Sequence, residues 1–92
     1  MNLRQLFLQH LAQTSAFPLA LEIDRADGMY LYDVEGKSYL DLIAGIGVSS
    51  LGHRHPAVVN AVKDQLDRYL HTLVYGEFIL APQVQLAELL AQ

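Results

Sequence analysis

The sequence predicts an α+β fold, ordered as an N-terminal helix, a three-stranded antiparallel meander, a glycine-rich loop and two further helices. Three observations carry this expectation. Apolar residues recur at helical spacing near both ends of the chain, but alternate with polar ones in the stretch that follows the first helix. The turn signals Ala26-Asp27-Gly28 and Glu35-Gly36 cut that stretch into short runs. From Ala44 to Gly52 both periods give way to small residues and glycine.

The elements follow in order. Met1 to Pro18 carries Arg4, a Leu/Phe cluster and small residues at Ser15 and Ala16, so it superficially resembles a secretion signal. Gln5, Gln9, His10 and Gln13 break the apolar run too often for that. Leu3, Leu6, Phe7 and Leu11 instead fall on one helical face, which predicts a short amphipathic helix. Leu19, Leu21 and Ile23 alternate with Ala20 and Glu22, the pattern of a half-buried first strand. Met29 to Asp33 predicts the second strand and Lys37 to Leu42 the third. Pro56 suits a first helical position. After it, Val58, Val59, Val62, Leu66, Tyr69, Leu70 and Leu73 form a stripe opposite Asn60, Lys63, Asp64, Asp67 and Arg68. Gly76 interrupts the chain. A last helix is expected from near Pro82, with Val84, Leu86, Ala87, Leu89 and Leu90 inward. It reaches Gln92 with no glycine or asparagine cap, as expected of a chain cut in mid-pattern.

At 92 residues the chain is at most one domain. Its apolar content of 52%, against 17% charged, is high for a small free-standing protein. Such an excess predicts surface to be covered by the rest of a longer chain or by a partner subunit. A formal charge of −4 with scattered Lys and Arg argues against nucleic acid as a partner. No stretch approaches the ~20 apolar residues of a membrane span. The absence of cysteine excludes disulfides and thiolate metal sites, and fits a cytoplasmic protein.

Few residues suggest chemistry. Gly45-Ile46-Gly47 opens like a dinucleotide fingerprint, but the third glycine stands at 52, and antiparallel strands precede it. Missing side chains here suit either a close backbone crossing or a close approach to a ligand, and composition leaves both open. His53 and His55 could share a metal, but no third ligand is evident; the alternative is local bonding at a helix entrance, and no metal site is expected. Lys37 and Lys63, the only lysines, fall in a turn and on a polar helix face. Neither sits where desolvation or charge would activate an imine-forming amine. Asp64 and Asp67 lie on the solvated face, and no serine or threonine has a recognisable base. No catalytic residue is expected.

The run from Gly28 to Pro56 resembles the N-terminal signature of class III aminotransferases of the ornithine/acetylornithine type. Its landmarks are Gly28, Asp33, Gly36, Lys37, Tyr39, Asp41, Gly52, His53, His55 and Pro56, and the likeness extends over roughly residues 17 to 90. The resemblance implies an N-terminal segment of a fold type I transferase and a homodimer with active sites at the subunit interface. It implies pyridoxal phosphate as cofactor, and amino transfer from an amine or amino acid to a 2-oxo acid. By position, Gly45, Ile46 and Gly47 would line the substrate pocket, Phe17 would stand near its entrance, and Tyr75 would reach the neighbouring subunit's site. The Schiff-base lysine, the aspartate facing the pyridine nitrogen and the phosphate cup belong to later parts of the family's sequence. Residues 1–92 are thus expected to be part of the small domain without the large cofactor-binding domain, to bind no cofactor specifically and to be inactive alone. The rival expectation is a free-standing dimerisation module built from the same segment.

Overall fold

A computed structural model describes all 92 residues, Met1–Gln92. The chain divides into two compact units, Met1–Val59 and Asn60–Gln92.

The first unit opens with α1 (Leu3–His10). Asn2 caps it: its side chain accepts from the Gln5 amide at 2.9 Å, and the Gln5 side chain accepts from the Asn2 amide at 3.0 Å. This reciprocal box satisfies two amides that the helix start would leave orphaned. Leu3, Leu6, Phe7 and Leu11 line one wall of an open groove of about 650 Å³, with Ala20 and Leu21 on the other. Arg4 reaches Glu22 at 3.7 Å across its end.

The sheet is the predicted meander, in the order β1 (Ile23–Asp27), β2 (Tyr30–Asp33), β3 (Ser38–Leu40). The first strand is displaced from its expected place. Leu19 to Glu22 is irregular, because Ala20 takes φ 49° and breaks the extended run. Ala26 and Asp27, expected in a turn, pair with Leu31 and Tyr30. The turn is confined to Gly28-Met29, with Gly28 at φ 57° in the first of two hairpin positions, where a primed turn takes glycine. Arg25 opposes Tyr32 and lies 3.8 Å from its ring centroid, a cation–π pair across β1 and β2. Lys37, Asp41 and Leu42 lie outside the third strand, which is shorter than expected.

The hairpin between β2 and β3 is organised by one carboxylate. Asp33 Oδ1 accepts from the amides of Glu35 and Lys37, both at 2.9 Å, and Oδ2 accepts from the Tyr39 hydroxyl at 2.9 Å. Desolvation opposes ionisation of Asp33, but the bond from the Lys37 amide, then those from the Tyr39 hydroxyl and the Glu35 amide, outweigh it and hold the carboxyl below its ordinary range.

The glycine-rich loop, expected to be neither helix nor strand, contains one helical turn, α2 (Ala44–Gly47), wound left-handed. Helix α3 (Pro56–Leu66) starts at the expected proline, with His55 Nδ1 accepting the Ala57 amide at 3.2 Å. It ends earlier than its apolar stripe. The last turn tightens, with the Arg68 amide bonding the Gln65 carbonyl three residues back, and the Gln65 side chain donates to the Tyr69 carbonyl at 3.1 Å. This closing turn leaves Tyr69, Leu70 and Leu73 beyond the helix.

In the second unit α4 (Ala81–Leu90) carries Pro82 in its first turn. Its apolar residues do not face inward as expected, since Val84, Leu86, Leu89 and Leu90 are all exposed. Their covering is not supplied by this chain. The same holds throughout, for no residue of the chain is fully buried. The accessible surface is 8298 Å². No helix is long and apolar enough to cross a membrane.

The absence of any fully buried side chain sets an expectation for the isolated chain. It will bind a hydrophobic dye such as ANS, associate with rising concentration, and unfold without a sharp transition. Analytical ultracentrifugation and thermal near-UV dichroism check this; a monodisperse monomer with cooperative melting would contradict it.

Candidate functional site

The loop from Leu42 to Gly52 contains no charged residue, and Leu42, Ile43, Ile46, Val48 and Leu51 are all exposed on it. Both ends of the loop are tied to the β1–β2 turn. The Asp41 amide donates to the Met29 carbonyl at 2.7 Å. At the other end His53 and Gly28 exchange two backbone bonds, at 2.7 and 2.9 Å. Gly52 permits this approach: at φ 82° its missing Cβ would stand 3.1 Å from the Gly28 carbonyl oxygen.

Side chains close the loop between those ends. Asp41 Oδ1 accepts from the amides of Ile43 and Ala44 at 3.1 and 3.0 Å. Ile43 is right-handed (φ −86°) and Ala44 left-handed (φ 52°). This change of hand turns successive amides toward one point and makes a small anion nest. The nest is filled from within by Asp41. Its other oxygen, Oδ2, lies 2.6 Å from His53 Nε2. The bond from His53, the Ala44 amide and the Ile43 amide together outweigh desolvation and hold the Asp41 carboxyl below its ordinary range. An ionised carboxylate only accepts, so His53 Nε2 carries the proton of this bond. The pair is largely shielded, with side-chain exposures of 9% for Asp41 and 20% for His53.

The nest launches the left-handed turn. Ala44, Gly45, Ile46 and Gly47 take φ of 52°, 61°, 64° and 72°. For glycine this is easy. For Ala44 and the β-branched Ile46 it costs about 1–2 kcal/mol each. Ile46 gains no burial in return, since it is 87% exposed. An apolar side chain held outward at a strained position fits a contact with something outside the chain.

The sequence-predicted site residues fall as follows. Gly45, Ile46 and Gly47 share the left-handed turn. Phe17, in the irregular segment before β1, is 93% exposed. Tyr75 belongs to the second unit, where it lines a depression of about 480 Å³ with Leu73 and Leu86 and is 74% exposed. Neither histidine is free for a shared metal in the observed arrangement: His53 bonds Asp41 and His55 caps α3. No three His, Asp or Glu side chains are grouped anywhere as a metal site would require. The Asp–His pair has the form of a dyad but lacks a nucleophile; Ser50 Oγ donates to the Gly47 carbonyl instead, at 3.3 Å. Asp41 and His53 are both landmarks of the family signature, but the sequence gives Asp41 no role and His53 only a metal or a local bonding partner. An aspartate two residues before a turn amide is a recognisable Asx-turn signal, but nothing local announces the histidine.

Two outcomes follow from this geometry. Ile46→Gly is expected to stabilise the turn by about 1 kcal/mol, because it removes strain and no core contact; amide exchange of Gly45–Ser50 measures it, and a large destabilisation would mean that Ile46 is packed. The depressed Asp41 carboxyl contributes stability that is complete above the ordinary carboxylate value of the unfolded chain and lost as pH falls through the lower folded value. The amide signals of Ile43 and Ala44 are therefore expected to shift together below about pH 4, followed by NMR.

The sequence profile described as aminotransferase class-III matches residues 11–92. An acetylornithine aminotransferase of Methanopyrus kandleri is 46% identical over 85 residues, covering 90% of this chain and 20% of that protein. The taurine:2-oxoglutarate aminotransferase of Bifidobacterium kashiwanohense, solved in complex with PLP and glutamate, superposes with a TM-score of 0.81 at 30% identity, over 94% of this chain and 19% of that one. An adenosylmethionine-8-amino-7-oxononanoate aminotransferase of Methanocaldococcus jannaschii gives a TM-score of 0.85 at 26% identity, over 97% of this chain and 22% of that one. The chain spans about a fifth of the length of these relatives. Its helix, meander, loop and two helices are the α+β arrangement of an N-terminal segment of a fold type I transferase. With the profile match reaching from residue 11 to residue 92, the chain belongs to the class-III aminotransferase family.

Proposed function

We propose that this chain forms part of the substrate-side wall of a pyridoxal-phosphate-dependent aminotransferase, which moves an amino group from an amine or amino acid to a 2-oxo acid. The observation that carries the reading is Ile46, strained and 87% exposed on an uncharged loop of a chain from this family. Gly45 and Gly47 flank it without side chains, so a substrate can approach the backbone closely. Phe17 and Tyr75 complete the reading, the first at the pocket entrance and the second toward a neighbouring subunit.

The residues of this chain do not themselves fit the cofactor. Lys37 and Lys63 are exposed, the first 5.2 Å from the Tyr39 ring centroid and the second on α3, and neither is enclosed as an imine-forming lysine must be. When bound, the cofactor supplies the electron sink. In this reading it is held by a large domain outside these 92 residues, which would act as part of the small domain. The uncovered apolar faces of the chain are packed against that domain and a second copy of the enzyme. A cytoplasmic location belongs to the same reading, supported by the cysteine-free sequence.

The test is a graft. Residues 1–92 replace the matching fifth of the Methanopyrus kandleri relative, and the purified enzyme is assayed for amino transfer. Activity is expected, with Ile46→Ala changing the ratio of kcat/KM between amino donors of different side-chain length by about tenfold or more. An inactive, folded graft, or a ratio unmoved by Ile46→Ala, would contradict the reading. The isolated chain, mixed with pyridoxal phosphate and borohydride, is expected to give no stoichiometric adduct at Lys37 or Lys63, as peptide mass mapping would show.

A further inference from the structure

We infer that Asp41 and His53 are positioning residues for the substrate contact: together they set the handedness of the turn that holds Ile46 outward. The inference rests on the reading of Ile46 as a substrate contact, and identifies what fixes its place.

A left-handed turn containing alanine and isoleucine does not hold itself. Each residue prefers right-handed or extended backbone, so the surroundings must over-determine the turn. Three restraints converge here. The Asp41 carboxylate bonds the amides of Ile43 and Ala44, at the bond where the hand changes. His53 fixes the carboxylate through its second oxygen at 2.6 Å. The backbones of both residues are tied to the Gly28-Met29 turn, so the carboxylate and its histidine cannot drift apart. The loop itself adds the bonds from Val48 and Ser49 back to the Ala44 carbonyl, at 2.8 and 2.9 Å, but bonds of this span also close right-handed turns and do not choose the hand.

The carboxylate is placed for this task. Its Oδ1 is spent on two amides and its Oδ2 on one imidazole, and both side chains are largely shielded. Neither group faces a nucleophile. Their chemistry acts through Ile46 without touching substrate. Loss of the pair would leave Ile46 present and mobile, which weakens binding more than it slows the chemical step.

The experiment uses the grafted enzyme. Asp41→Ala and His53→Ala are expected to raise KM for the amino donor about tenfold, with kcat within about threefold, the signature of lost binding. Asp41→Asn keeps an oxygen for both amides but turns an NH2 toward His53, which can accept it only in its other tautomer, and is expected to recover part of the loss. Tyr39→Phe removes a comparable bond from Asp33, at the other end of the β2–β3 hairpin, and is expected to leave KM unchanged. Deuterium exchange of peptides from Leu42 to Gly52 is read in parallel. It should be slow in the parent and fast in the two alanine variants, with the β1 and β2 peptides unaffected. Unchanged exchange in the alanine variants, a parent loop exchanging at the free-chain rate, a fall in kcat at constant KM, or an equal KM effect from Tyr39→Phe would overturn the inference. An inactive graft would contradict the aminotransferase reading alone, since exchange still decides whether the pair holds the turn.

Discussion

The organising constraint of the first unit is a carboxylate bonded on both sides. Asp41 offers one oxygen to the amides of Ile43 and Ala44 and the other to His53. Bonds to an ionised acceptor are about twice as strong as neutral ones, and they strengthen where water is excluded. Everything along the loop depends on where this group stands. Its own amide is fixed to Met29, His53 is fixed to Gly28, and Gly52 must lack a Cβ for the two backbones to meet. The hairpin turn is thus the anchor of a loop that lies well beyond it in sequence. Asp33 repeats the scheme on a smaller scale with Glu35, Lys37 and Tyr39. Two aspartates do by directed hydrogen bonding what a core does elsewhere by exclusion of water.

That substitution is forced by the chain's surface. With no side chain fully buried, hydrophobic burial contributes only through half-buried residues such as Leu31, Tyr32 and Tyr39 on the sheet and Leu73 and Leu80 in the second unit. Secondary structure is well formed because its bonds are local. Caps at Asn2 and His55 and the Asp33 cluster each act within a few residues, and only the Asp41–His53 bond reaches further. What is missing is the cooperative packing that joins such pieces into one stable body. The apolar stripes of α1 and α4 are patterned for that packing.

Much of this was legible in the sequence. The apolar period placed α1, Pro56 and Pro82 placed the starts of α3 and α4, and two glycine turns placed the meander. The failures have physical reasons. Leu19, Leu21 and Ile23 alternate as a strand does, but the positive φ of Ala20 ends that run, and pairing begins only at Ile23. The stripe of α3 runs on through Leu73, yet the helix ends at Leu66, where the Arg68 amide tightens onto the Gln65 carbonyl three residues back and the Gln65 side chain takes the Tyr69 carbonyl. The inward face expected of α4 is not observed: Val84, Leu86, Leu89 and Leu90 are exposed, because no other element of the chain packs over them. The left-handed turn had a sign in its two glycines, though Ala44 and Ile46 argue locally against it. The Asp41–His53 bond joins residues twelve apart and had no local sign at all.

The separation between the turn and its side chain has an evolutionary consequence. In a packed core, changing a residue's size disturbs its neighbours, so altered preference and lowered stability arrive together. Position 46 is 87% exposed, and the turn around it is held by backbone bonds and by Asp41 and His53, so a change of side chain there acts on stability only through the strain of the left-handed backbone. A lineage could exchange isoleucine for a larger, smaller or aromatic group by single mutations, without first acquiring a stabilising change elsewhere. The scaffold makes this position open to drift and to rapid adaptation, as a lever on what is recognised whose effect on the fold is confined to one turn.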